Sequence, residues 1–187
     1  MKKLRLHYNS PVVLTFFFVS LAALLLNSLT GGWANRALFS VYRFAPTDLL
    51  GWLRLFGHVL GHADWSHFIG NMLLLLVVGP PMEEKYGSLP LLRGILLTAL
   101  ISGGLHCLLF PGVALLGASG IVFMLILLAS LSGMEGRSIP VTLVLVAALY
   151  AGRELTSILF VRDNVANFMH IVGGLCGTGF GYMMHRK

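Results

Sequence analysis

Two polar residues in otherwise apolar segments have the types needed to break a peptide bond by nucleophilic attack. Ser119 lies in the sequence Gly117-Ala118-Ser119-Gly120, and His170 follows in a later apolar segment. A serine hydroxyl attacks a carbonyl carbon efficiently only when a base takes its proton, and histidine most often does so. Because serine in an apolar helix also bonds to its own backbone, the G-x-S-G sequence alone leaves a structural role open.

A second pair of polar side chains, His67 and Asn71, precedes the serine. Their spacing of four residues places both on one face of a helix. Such groups are costly in lipid, and donors on one face can stabilise a negatively charged intermediate or clamp neighbouring helices together. The spacing leaves both interpretations open.

The chain is too apolar for an ordinary soluble protein. Of its 187 residues, 57% are hydrophobic and 11% are charged, and the mean hydropathy is +0.85. This composition excludes an ordinary cytosolic enzyme and a disordered protein. The net charge of +6 comes from 13 Lys and Arg residues scattered singly between apolar segments, so we expect no nucleic-acid partner. Cys107 and Cys176 lie far apart and predict neither a disulfide framework nor a zinc site.

Apolar windows approaching the length that crosses a bilayer predict an all-α, polytopic membrane protein with one domain over residues 1–187. The six predicted spans are 11–30, 66–80, 89–109, 116–133, 140–160 and 167–184. The second span is predicted to end at Gly79-Pro80-Pro81, because proline interrupts helical hydrogen bonding.

The first loop, residues 31–61, is only half apolar and carries Trp33 and Trp52. This composition is typical of a segment that lies at the membrane interface. Its role is either a structural brace or a gate beside a site.

The distribution of cationic residues predicts the orientation. Eight Lys and Arg residues lie on the side of the amino terminus and five on the other side, which favours cytoplasmic amino and carboxyl termini. Without a transit peptide or an appended soluble domain, the plasma (inner) membrane is the expected location. A site near the starts of the even-numbered spans would then open to the extracytoplasmic side.

The second, fourth and sixth spans begin at the same membrane face, which places their polar residues at similar depth. Ser119 is predicted about three residues into its span and Asn71 about five, or roughly 5 to 10 Å below the outer surface at 1.5 Å per residue. His67 and His170 lie near the starts of their own spans. A shared pocket is therefore geometrically feasible.

The sixth span carries Gly173, Gly177 and Gly181 at intervals of four, a ridge that allows close backbone approach. If this ridge packs against the fourth span, His170 reaches Ser119 as its general base. No third carboxylate is evident at this depth, so a dyad is favoured. Asn71, His67 and the Ser119 backbone N–H are suitable donors for the oxyanion.

The order H-x-x-x-N, then G-A-S-G, then a histidine followed by G-x-x-x-G, resembles the rhomboid intramembrane serine proteases over nearly the whole chain. The stretch 54–71 resembles the signature of the family's first loop and second span, including its histidine spacing. Gly79, Glu83 and Gly87 resemble the family's G-x-x-x-E-x-x-x-G element.

The resemblance implies a helical bundle around a short central fourth span, with a water-filled cavity and transmembrane proteins as substrates. It implies Ser119 as nucleophile, His170 as its partner, and His67 with Asn71 at the oxyanion. The residues expected to support the site are Gly117, Gly120, Phe123, Asn167, Gly173 and Gly177. No metal or organic cofactor is expected, and the oligomeric state is left open.

The chain departs from the family pattern in three places, one of which is Leu53-Arg54, where Trp-Arg is frequent in the family. Phe123 stands where many relatives carry tyrosine beneath the histidine, which keeps stacking but removes a hydroxyl. Met169 replaces a small residue that is common before the histidine. These departures bear on the geometry and rate of the site more than on its identity.

Two other functions fit parts of the pattern. A catalytically silent relative would bind and escort membrane clients, but its mark would be the loss of Ser119 or His170. A small transporter could use the intramembrane histidines as a proton relay, but we detect no inverted repeat and no mid-span carboxylate. His58 and His62 could be metal ligands, although hydrogen bonds that tie the first loop to the bundle are favoured.

Overall fold

A computed structural model of the chain describes residues 7–133 and 164–185, with isolated positions between them at 141, 144, 145, 148 and 149. Its helices are α1 (Pro11–Leu29), α2 (Trp33–Ala37), α3 (Leu49–Gly57), α4 (Trp65–Tyr86), α5 (Ser88–Leu109), α6 (Ser119–Leu131) and α7 (Asn164–His185). A 3-10 turn, His58–Leu60, follows α3. The all-α prediction is confirmed, and the β contact that the described residues make is an isolated bridge between Val41 and Leu115.

Three of the described helices, α1, α4 and α5, are long and apolar enough to cross a membrane. At 1.5 Å per residue, the 22 residues of α4 and of α5 extend about 33 Å. The apolar helix α6 has 13 residues and extends only about 20 Å, less than the roughly 30 Å of hydrocarbon. The protein is embedded in the membrane, and most of the predicted span at 140–160 lies outside the described residues.

The prediction that the second span ends at Gly79-Pro80-Pro81 is wrong. Helix α4 continues through both prolines to Tyr86 and ends where Gly87 adopts a φ of 87°. Proline removes a backbone donor, but membrane helices tolerate it when neighbouring helices hold the segment in place. Contacts between this last part of α4 and α1 provide that support.

The carboxylate of Glu83 on α4 caps the first turn of α1. The N–H groups of Val12 and Val13, which have no acceptor within α1, donate to its Oε1 and Oε2 at 2.9 and 3.0 Å. Ser88 Oγ donates to Oε1 at 2.6 Å. Negative charge is favourable at a helix N-terminus, so this buried contact fixes α1 against the end of α4.

Helix α6 lies at the centre of the bundle and packs against α4, α5 and α7. The buried apolar side chains on α6 are Ile121, Val122, Phe123, Met124, Leu125, Leu127, Leu128 and Leu131. A helix that is apolar on all sides is stable either among other helices or against lipid. Because α6 is also too short to cross the hydrocarbon, its length and composition together fit a position surrounded by other helices.

The first loop forms short helices that anchor it to the bundle. Arg54 on α3 is buried, and its Nε donates to the carbonyl of Ala37 at the end of α2 at 3.0 Å. His58 Nε2 lies 3.3 Å from Ser102 Oγ on α5, which is the predicted type of hydrogen bond between the loop and the bundle. Burial lowers the pKa of His58 to about 4. Leu49 and Leu53 on α3 are exposed, in agreement with a position at the membrane interface.

Candidate active site

Ser119 is the first residue of α6, whereas the sequence predicted a span beginning at 116. The first helical hydrogen bond joins the N–H of Val122 to the carbonyl of Ala118 at 2.9 Å. The N–H groups of Ser119 and Gly120 therefore have no acceptor within the helix, and the positive end of the helix dipole lies at the serine. Because α6 is short, its amino-terminal end can lie below the membrane surface.

The loop before Ser119 is held by the first loop of the chain. Val41 and Leu115 exchange two backbone hydrogen bonds of 2.9 Å, and the N–H of Gly117 donates to the carbonyl of His58 at 2.9 Å. Gly117 has a φ of 128°, and a Cβ atom there would lie 2.8 Å from Cε1 of His67. Glycine is required at this position by both its conformation and its close contact with the imidazole.

Helix α4 presents His67 and Asn71. Asp64 caps the helix, and its Oδ1 accepts from the N–H of His67 at 2.8 Å, which places His67 in the first turn. Asn71 lies one turn further on and is buried. Within the part of the chain that the structure describes, Asn71 Nδ2 has no hydrogen-bond acceptor.

Helix α7 approaches α6 at backbone contact distance. Ideal Cβ atoms at Gly173 and Gly177 would lie 2.1 Å from the carbonyl oxygen of Gly120 and 2.2 Å from that of Met124. Only glycine allows this approach, which sets the start of α6 beside His170. The rings of Phe123 and His170 lie 4.5 Å apart between centroids, at an angle of 42°.

A cavity of about 680 Å³ brings Ser119, His170, His67 and Asn71 together. Three helices supply these four polar groups, and Phe123 lies beside them. The glycines at 117, 120, 173 and 177 shape the backbone around the cavity without lining it. Asn167 lies on α7, but its side chain is outside the described residues.

Sequence reasoning missed part of the cavity wall. The loop residues Val113, Ala114, Leu115 and Leu116 line it. No local pattern in the sequence indicates this loop, because its place depends on pairing with Val41. Met169, which the sequence indicated as a departure near the site, also lines the cavity.

A family model, the rhomboid domain, matches residues 50–187 of the chain. The chain belongs to the rhomboid family. It is 29% identical over 182 residues to "Rhomboid protease GluP" of Bacillus subtilis (strain 168), which covers 92% of this chain and 34% of that protein. It is 28% identical over 159 residues to "Rhomboid-like protein 15" of Arabidopsis thaliana, and the match covers 77% of this chain and 37% of that protein. It is 30% identical over 142 residues to "Rhomboid-related protein 2" of Mus musculus, and the match covers 69% of this chain and 47% of that protein.

The rhomboid match includes every helix that lines the cavity, while α1 and the first part of the loop precede it. This rhomboid chain spans between a third and a half of the length of these curated relatives.

Proposed function

We propose that this rhomboid is an intramembrane serine endopeptidase that hydrolyses peptide bonds in or near transmembrane segments of other proteins. The proposal rests on one observation: a serine, two histidines and an asparagine from three helices line a single cavity at the start of the short helix α6. These are the groups that acyl transfer requires, namely a nucleophile, a base and oxyanion donors.

In the proposed reaction, His170 takes the proton from Ser119 Oγ as the oxygen attacks the substrate carbonyl carbon. A tetrahedral intermediate forms, and His170 then gives the proton to the leaving amine. Water attacks the acyl-enzyme in the second half of the reaction, again with His170 as base. The Phe123 ring, 4.5 Å from the imidazole, packs against His170 and helps to orient it, although phenylalanine has no hydroxyl to donate.

Three donors are suited to the negative charge of the intermediate. They are the backbone N–H of Ser119, the side-chain amide of Asn71 and the imidazole of His67. The amide Nδ2 of Asn71 is unpaired within the described residues and belongs to a residue that lines the cavity, so a ligand oxygen there would satisfy it. His67 Nδ1 lies 3.5 Å from the N–H of Ala63, which favours a proton on the opposite nitrogen, Nε2, as an oxyanion donor would need.

Because the site lies in the membrane, a helical substrate must unwind locally before it can be cleaved. A transmembrane helix hides its carbonyl groups in its own hydrogen bonds, so a segment must unwind locally before Ser119 can attack one of them. We propose that the protein lies in the plasma membrane with cytoplasmic termini and that the cavity opens to the extracytoplasmic side. Water can then reach the site from that side, which the hydrolysis of the acyl-enzyme requires.

The test is cleavage of fluorescent transmembrane reporters by the purified protein in liposomes. We expect cleavage by the wild type and by Ser130→Ala, because the Ser130 hydroxyl bonds to the carbonyl of Ile126 within α6 and takes no part in the chemistry. Ser119→Ala and His170→Ala should each lose at least about 10³-fold in rate. Cleavage that persists in a verified Ser119→Ala preparation would exclude the serine mechanism. A folded wild type that cleaves no reporter would favour a silent escort of membrane clients.

A further inference from the structure

A second cavity, of about 560 Å³, lies between α1, α5 and the end of the first loop, and it shares no lining residue with the candidate active site. Helix α1 contributes Val12 and Val19 among others, and α5 contributes Leu92 to Ala99. The segment from Phe56 to Leu60, which includes the 3-10 turn, also lines it. We call this cavity the α1/α5 groove.

The α1/α5 groove is apolar. Its one side-chain hydroxyl, that of Thr15, lies 3.3 Å from the hydroxyl of Tyr8 and therefore already has a partner. Both helical walls belong to membrane-spanning segments, so the surrounding solvent is hydrocarbon. An empty groove would leave its lining atoms without dispersion contacts on one side. The chemistry of the walls and of the solvent both point to an aliphatic occupant.

The dimensions restrict that occupant to one leaflet. The lining residues run over eight residue steps on α1, from Pro11 to Val19, and over seven on α5, from Leu92 to Ala99. These steps correspond to about 10 to 12 Å, which is within the roughly 15 Å of a single leaflet. It runs along the first halves of both helices, and the first loop lines it as well. Arg93 is exposed and follows the lining residue Leu92, so a cation is present near the beginning of α5. Cations at this level attract lipid phosphate groups.

We propose that the α1/α5 groove binds one acyl chain of a phospholipid from the leaflet in which α1 and α5 begin. The chain lies along both helices beneath the 3-10 turn, and the phosphate lies at the level of Arg93. The same turn supplies the His58 carbonyl that accepts the N–H of Gly117, so the lipid supports the segment that holds the loop before Ser119. Binding of the lipid does not depend on the proposed proteolysis.

The test uses substitutions that fill the groove, each with a neighbouring control. Leu96 lines the groove and Leu97 does not, and their side chains are 42% and 44% exposed. Val19 on α1 lines the groove, whereas the neighbouring Phe18 does not. Leu96→Trp and Val19→Trp therefore place an indole in the groove from opposite walls, while Leu97→Trp and Phe18→Trp add the same group on a lipid-facing surface.

The measurement is native mass spectrometry of delipidated protein titrated with dioleoyl phosphatidylglycerol, with thermal unfolding recorded on each sample. We expect one retained phospholipid on the wild type and both controls, and at least about fivefold lower occupancy on both groove variants. The lipid should also raise the melting temperature of the wild type and the controls but not of the groove variants. Equal lipid occupancy in all five proteins would overturn the proposal. A wild type and controls that are dimers, with groove variants that are monomers, would also overturn it, because a second copy of the chain would then occupy the groove. If one groove variant does not fold, the other decides.

Discussion

Adding one methyl group at Gly173 should move Ser119, the proposed nucleophile, away from His170, its proposed base. A Cβ atom at this position would lie 2.1 Å from the carbonyl oxygen of Gly120 and within 3 Å of its carbonyl carbon and Cα. To restore an ordinary contact of 3.4 Å, that oxygen must retreat by about 1.3 Å. The obstacle is backbone, so no side chain can move aside to relieve it.

The retreat acts directly on the proposed dyad. Gly120 follows Ser119, and Gly173 lies one helical turn after His170, so moving the two glycines apart moves Ser119 away from the imidazole. A misplacement of about 1 Å costs on the order of 100-fold in rate. We expect Gly173→Ala to lose at least about 100-fold in reporter cleavage and about 1–3 kcal/mol in stability from overpacking.

The neighbouring glycine is a matched control. A Cβ atom at Gly174 would make an ordinary contact of 3.8 Å with Cγ of Leu127, so Gly174→Ala should keep its rate within about threefold. Both variants are compared with the wild type by reporter cleavage in liposomes and by thermal unfolding. Full activity in a folded Gly173→Ala protein, or an equal loss in Gly174→Ala, would refute the reasoning.

Three further predictions test the supports of the site. Gly117→Ala forces an unfavourable φ and a contact of 2.8 Å with the imidazole of His67, so we expect reporter cleavage to fall at least about 10-fold. Glu83→Gln removes the charge that caps α1 and should lower the free energy of unfolding by about 1–2 kcal/mol, as measured by denaturant titration. Glu84 is exposed, so Glu84→Gln should change the free energy of unfolding by less than about 0.5 kcal/mol. Burial lowers the pKa of His58 to about 4, so at mildly acid pH the unfolded chain binds more protons than the folded protein. The free energy of unfolding should therefore fall as the pH drops from about 6.5 to 4, and His58→Gln should make this dependence less steep.

The sequence allowed the helical class and the polar groups of the site to be predicted because both depend on local information. Long apolar windows define helices in a membrane, and polar residues such as Ser119 and His170 are conspicuous there because they are costly in lipid. The spacing of Gly173 and Gly177 also indicated a surface for close helix packing.

The remaining features depend on contacts between distant parts of the chain. Glu83 caps backbone groups that precede it by about 70 residues, and this contact holds the last turns of α4 despite Pro80 and Pro81. The start of α6 at Ser119 depends on the pairing of Leu115 with Val41 in the first loop. Periodicity and composition carry no information about either partner.

The most direct test of the central proposal is covalent labelling of the purified protein with a fluorophosphonate, followed by peptide mapping, because it requires no knowledge of the substrate. An activated serine attacks phosphorus and displaces fluoride, so we expect the label on Ser119 of the wild type and of Ser130→Ala. Labelling of His170→Ala should be at least about 100-fold slower, because the base is missing. A folded wild type without label on Ser119, or equal labelling rates with and without His170, would contradict the account.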